Sequence, residues 1–211
     1  MATPFRHTAS ICKKMNIKDD KLKEQVHIIN EYIDSVKMVN SRYGARIYTH
    51  NSCLPELISS ISKYSIDYRF DNNVLKEVFE LHCKEDFLNV YPSLNDYFDK
   101  ETKDIYDIKE CYEKINRFMK FIKFNLKSNN LVLQFMDDIV EWAYYSNDNA
   151  WIRNLIIFDN TFQYIISMFM NHELKDGTNI RDVFLRMQKN FGRMDVLSLK
   201  QTNNFVRNGV I

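Results

Sequence analysis

The scarcity of glycine and proline is the property of this sequence that most restricts its fold. The chain of 211 residues contains four glycines and three prolines, and an average composition would supply roughly three to four times as many. Tight turns, phosphate-binding loops and β-hairpins depend on these two residue types. Long stretches of the chain therefore favour helix, and the sequence predicts an all-α fold.

Length and apolar content predict one folded domain. A chain of 211 residues is long enough to bury a full hydrophobic core, and 45% of the residues are hydrophobic. The sequence shows no internal repeat and no flexible linker. We predict a single-domain bundle of seven or eight helices over residues 1–211, with residues 1–19 and 202–211 frayed at the two ends.

Hydrophobic residues at steps of three and four predict where the helices lie. The clearest pattern covers residues 105–126, where an apolar stripe faces a basic side. Residues 151–171 are apolar on nearly all sides, which predicts the buried central helix of the bundle. The other predicted helices cover residues 20–39, 55–64, 74–83, 131–144 and 180–191. We predict that residues 85–104 form an irregular crossing with one short helix after Ser93.

Several features predict an intracellular protein. No apolar run reaches the ~18 uncharged residues of a membrane span, and the N-terminus lacks the apolar region of a signal peptide. The cysteines have no paired spacing, which suits free thiols in a reducing compartment. Residue types with AT-rich codons are abundant, as in some viruses and parasites. We predict a cytoplasmic location, in an infected host cell if the chain is viral.

The sequence contains no catalytic signature. It lacks a glycine-rich phosphate loop, a nucleophile elbow and the two-histidine helix motif of metalloproteases. Two carboxylate pairs, Asp137 with Asp138 and Asp104 with Asp107, have no neighbour that would separate their pKa values as acid–base chemistry requires. We interpret them as solvated side chains. The prediction is a non-enzymatic protein that needs no cofactor.

One set of residue types resembles a metal site. His50 and Cys53 lie in one segment and His82 and Cys83 in another, and the four could bind zinc if the two segments met. However, the adjacent residues His82 and Cys83 point to different sides of a helix, and the usual ligand spacing is missing. The sequence therefore predicts no metal site, with Cys83 in the core and His82 at its edge.

A helix face that mixes basic and aromatic residues is one candidate binding surface. Residues 114–127 hold five basic residues and no acidic one. Cations neutralise phosphates and aromatic rings stack on nucleobases, so this combination suits single-stranded nucleic acid. The alternative is that a neighbouring helix covers the rings while the lysine stems extend into solvent. The face consists of Arg117, Lys120, Phe121, Lys123, Phe124 and Lys127.

The segment around Trp151 is the other candidate surface. Residues 135–158 read FMDDIVEWAYYSNDNAWIRNLIIF, which is an amphipathic helix, a polar break and the start of an apolar helix. This order resembles a segment of the Bcl family of apoptosis regulators, in which an Asn-Trp-Gly-Arg turn begins the buried central hairpin. Here the turn is Asn149-Ala150-Trp151-Ile152-Arg153, with Ile152 at the position of the family's glycine.

The resemblance implies a groove that accepts an amphipathic partner helix. In that family the arginine pairs with an aspartate on the incoming helix, and apolar residues around it line the groove. Carried over by position, Arg153 is the pairing cation and Trp151 a packing residue. Phe135, Ile139 and Phe158 become groove or core residues. We predict a groove lined by Phe135, Ile139, Trp151 and Phe158, with Arg153 fixing the register of the partner helix.

A purely structural interpretation of Trp151 and Arg153 stays open. In that case the two residues begin a core helix, and Arg153 pairs with Asp148 or Glu141. The leading prediction is a non-enzymatic viral protein that binds an amphipathic partner helix and modulates host apoptosis or innate signalling. The alternatives are a nucleic-acid-binding or nucleocapsid-like protein, and a structural protein that self-associates through exposed aromatic residues.

Overall fold

Eight α-helices make up most of the described chain. A computed structural model describes residues 3–39, 43–97, 108–125, 130–145, 153–154 and 156–192. Three short 3₁₀ helices, Tyr43–Tyr48, Ser62–Tyr64 and Leu94–Tyr97, lie in the connections. The prediction of an all-α, single-domain bundle is confirmed. The α-helices are α1 (Pro4–Lys14), α2 (Asp20–Val39), α3 (Leu54–Ile61), α4 (Asn72–Asp86), α5 (Ile108–Asn125), α6 (Leu131–Tyr144), α7 (Asn160–Phe169) and α8 (Ile180–Phe191).

Polar side chains determine where five of the helices begin. The first backbone N–H groups of a helix have no acceptor within the helix, and an Asp, Asn or Thr side chain can supply one. At α4, the carboxylate of Asp71 accepts from the backbone N–H groups of both Asn73 and Val74. The capping residues of α1, α4, α6, α7 and α8 are Thr3, Asp71, Asn130, Asp159 and Asn179.

Substitution of the α4 cap is expected to have a measurable effect on stability. We expect Asp71→Ala to lower the free energy of unfolding by about 1 kcal/mol, because two N–H groups lose their acceptor. Urea denaturation monitored by circular dichroism measures this change. Asn73→Ala is the matched control, since Asn73 is exposed in the same turn and its loss should cost less than about 0.5 kcal/mol. An equal loss for both variants would contradict the capping role.

Helices α2 and α7 occupy the centre of the bundle. α2 contacts α1, α4 and α7, and its apolar stripe, Val26, Ile29, Ile33 and Val36, is fully buried. The ring of Phe169 on α7 lies 5.1 Å from that of Tyr32 on α2. Packing on this stripe fixes α4 and α7 against α2, which positions the buried polar residues described below.

The predicted central helix over residues 151–171 is divided by Asp159, which corrects that prediction. Asp159 has an extended backbone, with φ −86° and ψ 134°, and its side chain accepts from the N–H of Thr161. The turn before α7 is held by Gln163, whose side-chain amide donates to the carbonyl of Ile157. The apolar pattern continues through this break, so periodicity alone did not reveal it. Trp151 lies outside the described residues.

The N-terminal segment is ordered as a helix, which corrects the prediction that residues 1–19 are frayed. Thr3 caps α1, and Pro4 occupies the first turn, where its missing N–H costs nothing. His7 and Ile11 of α1 are buried.

The predicted bounds of α2, α6 and α8 agree with the structure, as does the short helix after Ser93. Residues 202–211 lie outside the described part of the chain.

Candidate functional site

Three of the five residues predicted to line a partner groove are in the hydrophobic core. Phe135, Ile139 and Phe158 are all buried. The ring of Phe135 packs edge-on against Tyr64 and Phe184, with ring centroids 6.0 Å apart in each case. Phe135 does not line an open groove, because Tyr64 and Phe184 of α8 cover its ring, and Ile139 and Phe158 are likewise almost fully buried. The prediction of a groove at these positions is corrected to core packing.

Arg153 is held by contacts within the protein. Its Nη1 donates to the carbonyl oxygen of Trp142 at 3.2 Å, and its Nη2 donates to Sγ of Cys53 at 3.3 Å. The guanidinium lies over the Trp142 ring at 4.6 Å, and its Nη2 is 3.8 Å from a carboxylate oxygen of Glu56. Only 11% of the side chain is exposed. The structural interpretation is therefore favoured, with Glu56 as the acidic partner.

The predicted nucleic-acid face is described only in part. Arg117 and Lys120 are exposed, and Phe121 is 41% exposed. Its ring packs edge-on against Phe191 of α8 at a centroid distance of 5.6 Å, so a neighbouring helix covers one side of it. The side chains of Lys123 and Phe124, and all of Lys127, lie outside the described residues.

Phe121 borders a surface groove between α5, α6 and α8. The groove has a volume of about 350 Å³, within the range typical of binding sites. Leu133, Met136 and Met187 contribute apolar surface to it, and Arg186 is the charged residue among its described lining residues. An exposed aromatic ring, Phe121, and a cation, Arg186, therefore border the same groove.

A buried cluster of histidines and aspartates is formed by other elements, between α2, α4 and the segment after the first 3₁₀ helix. One ligand-type atom from each of Asp34, His50, His82 and Asp86 falls within 4.8 Å of the other three. His82 and Asp86 share one face of α4, because residues four apart are neighbours on a helix. Packing of α2 on α4 adds Asp34, and the chain that follows residues 43–48 adds His50.

Contacts in this cluster are longer than hydrogen bonds. Nε2 of His50 is 3.4 Å from Oδ2 of Asp86 and 3.9 Å from Oδ1 of Asp34. Nε2 of His82 is 3.7 Å from Oδ1 of Asp34. Both Nε2 atoms are buried and make no hydrogen bond. Buried polar atoms in folded proteins normally have a hydrogen-bond partner. Two neighbouring histidine nitrogens without one are therefore candidate ligand atoms.

The other ring nitrogens of the two histidines are hydrogen-bonded. Nδ1 of His82 is 2.7 Å from Oδ1 of Asn30, and Nδ1 of His50 is 2.9 Å from Oγ1 of Thr49. The amide of Asn30 is oriented by its nitrogen, which donates to the carbonyl of Val26. Because the Asn30 oxygen only accepts, Nδ1 of His82 carries the proton. Nε2 of neutral His82 therefore presents a lone pair to the cluster.

Charged residues surround the cluster on α1 and on the first 3₁₀ helix. Nη2 of Arg46 donates to Oδ2 of Asp86 at 3.0 Å. His7 lies between two acids, with Nδ1 2.7 Å from Glu85 and Nε2 3.3 Å from Asp86. Glu85 also accepts from Lys14 on α1. These contacts fix α1 and Arg46 around the Asp86 carboxylate.

Burial and neighbouring charges determine the protonation of these groups. Burial lowers the pKa of His50 to about 3 and also lowers the pKa of His82, so both rings are neutral at pH 7. Burial acts to raise the pKa of Asp86, but its contacts with His50 and His7 hold that pKa well below the ordinary range. Burial alone would lower the pKa of His7. The contacts of its ring with Asp86 and Glu85 have the larger combined effect, so the pKa of His7 is raised.

The sequence identified two of these four residues and missed the other two. The sequence offers His50 and His82 as ligand types together with Cys53 and Cys83, whereas the structure groups them with Asp34 and Asp86. His82 is fully buried and not at the edge of the core as predicted. The spacing of His82 and Asp86, four residues apart on a predicted helix, was an available signal. Nothing in the sequence indicated Asp34.

Comparison with protein family models, curated proteins and solved structures found no match. Within the described ranges, no helix combines the length and apolar character of a membrane-spanning segment. The function is therefore inferred from the chain's own geometry.

Proposed function

We propose that this chain is a non-enzymatic binding protein that accepts an acidic amphipathic helix of a partner protein in the groove between α5, α6 and α8. The observation that carries the proposal is Phe121, an exposed aromatic residue that borders the groove together with the cation Arg186. Aromatic residues and arginine are the side chains most often responsible for binding energy at protein interfaces.

The lining of the groove supports an apolar helix face as the occupant. Val132 and Leu133 of α6 are half-buried, so docking would remove their remaining apolar surface from water. Met136 and Met187 lie in the same groove, and methionine side chains adapt readily to the shape of a partner. An amphipathic helix supplies apolar side chains along one face for such a groove.

The charges on the flanking helices support an acidic partner. Arg117 and Lys120 on α5, and Arg186 and Lys189 on α8, are exposed. On α6, Asp138 is paired with Lys63 at 2.6 Å. Complementary charge accelerates association and orients the partner. Glutamate or aspartate residues bordering the apolar face of the incoming helix fit this surface.

The proposal retains the predicted class of function and changes its location. The sequence placed the partner helix around Arg153 and Phe135, whereas those side chains are engaged within the protein. A partner in host apoptosis or innate signalling, as predicted from the sequence, remains a prediction. Single-stranded nucleic acid is the competing occupant, since Phe121 and the basic residues belong to both proposals.

A peptide-binding experiment tests the groove. The probe is a fluorescein-labelled helical peptide with leucines on one face and glutamates beside them. We expect saturable binding that weakens by about tenfold or more in a Phe121→Ala/Arg186→Glu variant, because the anchor and the complementary charge are both lost. Fluorescence polarisation measures the Kd. Arg181→Glu is the matched control, with the same charge change on α8 at a residue outside the groove lining.

The same assay separates the competing interpretations. A peptide with lysines in place of the glutamates should not bind. Peptide affinity unchanged by Phe121→Ala/Arg186→Glu would reject the groove. Tight, salt-sensitive binding of single-stranded RNA, lost in an Arg117→Glu/Lys120→Glu variant, would replace the proposal with nucleic-acid binding.

A further inference from the structure

We propose that Asp34, His50, His82 and Asp86 bind one divalent transition-metal ion, with Zn²⁺ as the best fit. The ion would be a structural centre that joins α2, α4 and the segment after the first 3₁₀ helix. This inference is independent of the proposed groove, which is formed by α5, α6 and α8.

The four ligand atoms lie slightly farther apart than the ligand atoms of a tetrahedral zinc site, so a small inward movement completes the coordination shell. Zinc bonds to histidine nitrogen and carboxylate oxygen are about 2.0–2.1 Å long, which places tetrahedral ligand atoms about 3.3–3.4 Å apart. His50 and Asp86 already lie 3.4 Å apart, and all four ligand atoms lie within 4.8 Å of one another. Closing the shell requires each atom to move by less than about 1 Å. Side-chain adjustment is sufficient for such a movement.

The unsatisfied nitrogens provide the second, independent observation. Nε2 of His50 and Nε2 of His82 are buried, make no hydrogen bond and face carboxylate oxygens. The hydrogen bond from Nδ1 of His82 to Asn30 leaves a lone pair on Nε2. A lone pair that faces a carboxylate is repelled by it, whereas a cation between them attracts both. One metal ion therefore satisfies two imidazoles and two carboxyl groups together.

The outer contacts match those of protein metal centres. Histidine ligands usually donate their second N–H to a carbonyl or carboxylate, which fixes the ring and its tautomer. Nδ1 of His82 donates to the side-chain carbonyl oxygen of Asn30, and Nδ1 of His50 is hydrogen-bonded to Oγ1 of Thr49. Ligating carboxylates are themselves hydrogen-bonded, and Arg46 supplies that contact to Asp86.

The donor atoms select the class of metal. Two imidazole nitrogens and two carboxylate oxygens suit Zn²⁺ and the neighbouring divalent transition ions. Ca²⁺ requires six to eight oxygen ligands, and the four groups supply two nitrogens. Cys83 is outside the set of four, and burial raises the pKa of its thiol. Because all four side chains are buried, the ion would be structural.

Metal binding by the full chain tests the inference directly. After dialysis against EDTA, the protein is titrated with Zn²⁺ and its metal content is measured by mass spectrometry. We expect one ion per chain and a Tm increase of about 5–10 °C when free Zn²⁺ is 100-fold above its Kd. No bound ion and no Tm shift with Zn²⁺, Fe²⁺, Co²⁺ or Mn²⁺ would overturn the proposal.

Co²⁺ substitution of the unmodified chain identifies the ligands without relying on variants. Four-coordinate Co²⁺ gives intense visible absorption, and nitrogen and oxygen ligands give none of the near-ultraviolet charge-transfer bands of thiolate ligands. We expect the visible bands alone. Strong thiolate bands would show that cysteines bind the ion, and would overturn the assignment to these four residues.

Conservative variants locate the ion. We expect His82→Gln and Asp34→Asn to weaken Zn²⁺ binding by about 100-fold or more, since each removes one ligand while roughly preserving side-chain volume. His27→Gln is the matched control, because His27 lies on α2 but is substantially exposed. Circular dichroism confirms that each variant is folded. Stoichiometric, tight binding that survives in folded His82→Gln and Asp34→Asn, or that is lost in His27→Gln, would overturn the site.

Discussion

Replacing Phe135 with alanine is expected to lower the free energy of unfolding by about 3–5 kcal/mol. The ring is fully buried and packs against Tyr64 and Phe184. Its removal leaves a cavity where α3, α6 and α8 meet, and a large-to-small change in a packed core costs both burial and cavity energy. Denaturant titration of the purified protein, with a fit for the free energy of unfolding, measures the loss.

Phe121→Ala is the matched control for Phe135→Ala. Both substitutions remove the same ring, but Phe121 is 41% exposed, so the expected loss of stability is below about 1 kcal/mol. If Phe135 lined a binding groove as the sequence predicted, its removal would weaken partner binding more than folding. Equal, small losses in the two variants would contradict the assignment of Phe135 to the core.

Arg46→Met is expected to lower the free energy of unfolding by about 3–5 kcal/mol. Arg46 is buried, its guanidinium donates to Asp86, and it lies over the ring of Phe87 at 5.3 Å. Methionine retains much of the volume but removes the charge, and this leaves the Asp86 carboxylate without its main cation. The measurement is urea denaturation in a buffer that contains EDTA, so that bound metal does not alter the result.

Two further variants show whether the Arg46 effect comes from the buried charge. Lys63→Met removes a cation from the Lys63–Asp138 pair, in which Lys63 is exposed, and should cost less than about 1 kcal/mol. Arg46→Met/Asp86→Leu removes both buried charges and should be more stable than Arg46→Met alone. A double variant that is less stable than Arg46→Met would show that packing, not charge, is the main contribution.

The two proposed sites lie in different parts of the bundle, so the experiments report on them separately. The buried cluster depends on α2 and α4, with α1 docked beside it through His7 and Lys14. The groove depends on α5, α6 and α8. His82→Gln should therefore leave peptide binding unchanged, and Phe121→Ala/Arg186→Glu should leave Zn²⁺ binding unchanged. Loss of both activities in one folded variant would indicate that the two regions are coupled.

Local information in the sequence is sufficient to predict the helical class and most of the helices. Few glycines and prolines exclude most alternatives to helix, and periodic apolar residues placed α2, α6 and α8 at their observed bounds. Local signals were also present where the prediction was wrong. Thr3 with Pro4 begins α1, and Asp159 begins α7 within an apolar run that concealed it.

Which side chains meet depends on how the helices pack. Periodicity shows that Phe135 belongs to an apolar face, but that face becomes core because α3 and α8 cover it, and a partner's helix would give the same pattern. His50 and His82 were visible as metal-ligand types, whereas Asp34 joins them only because α2 packs on α4. Contacts between residues distant in sequence depend on how helices pack, and a single sequence does not encode that packing in any local pattern.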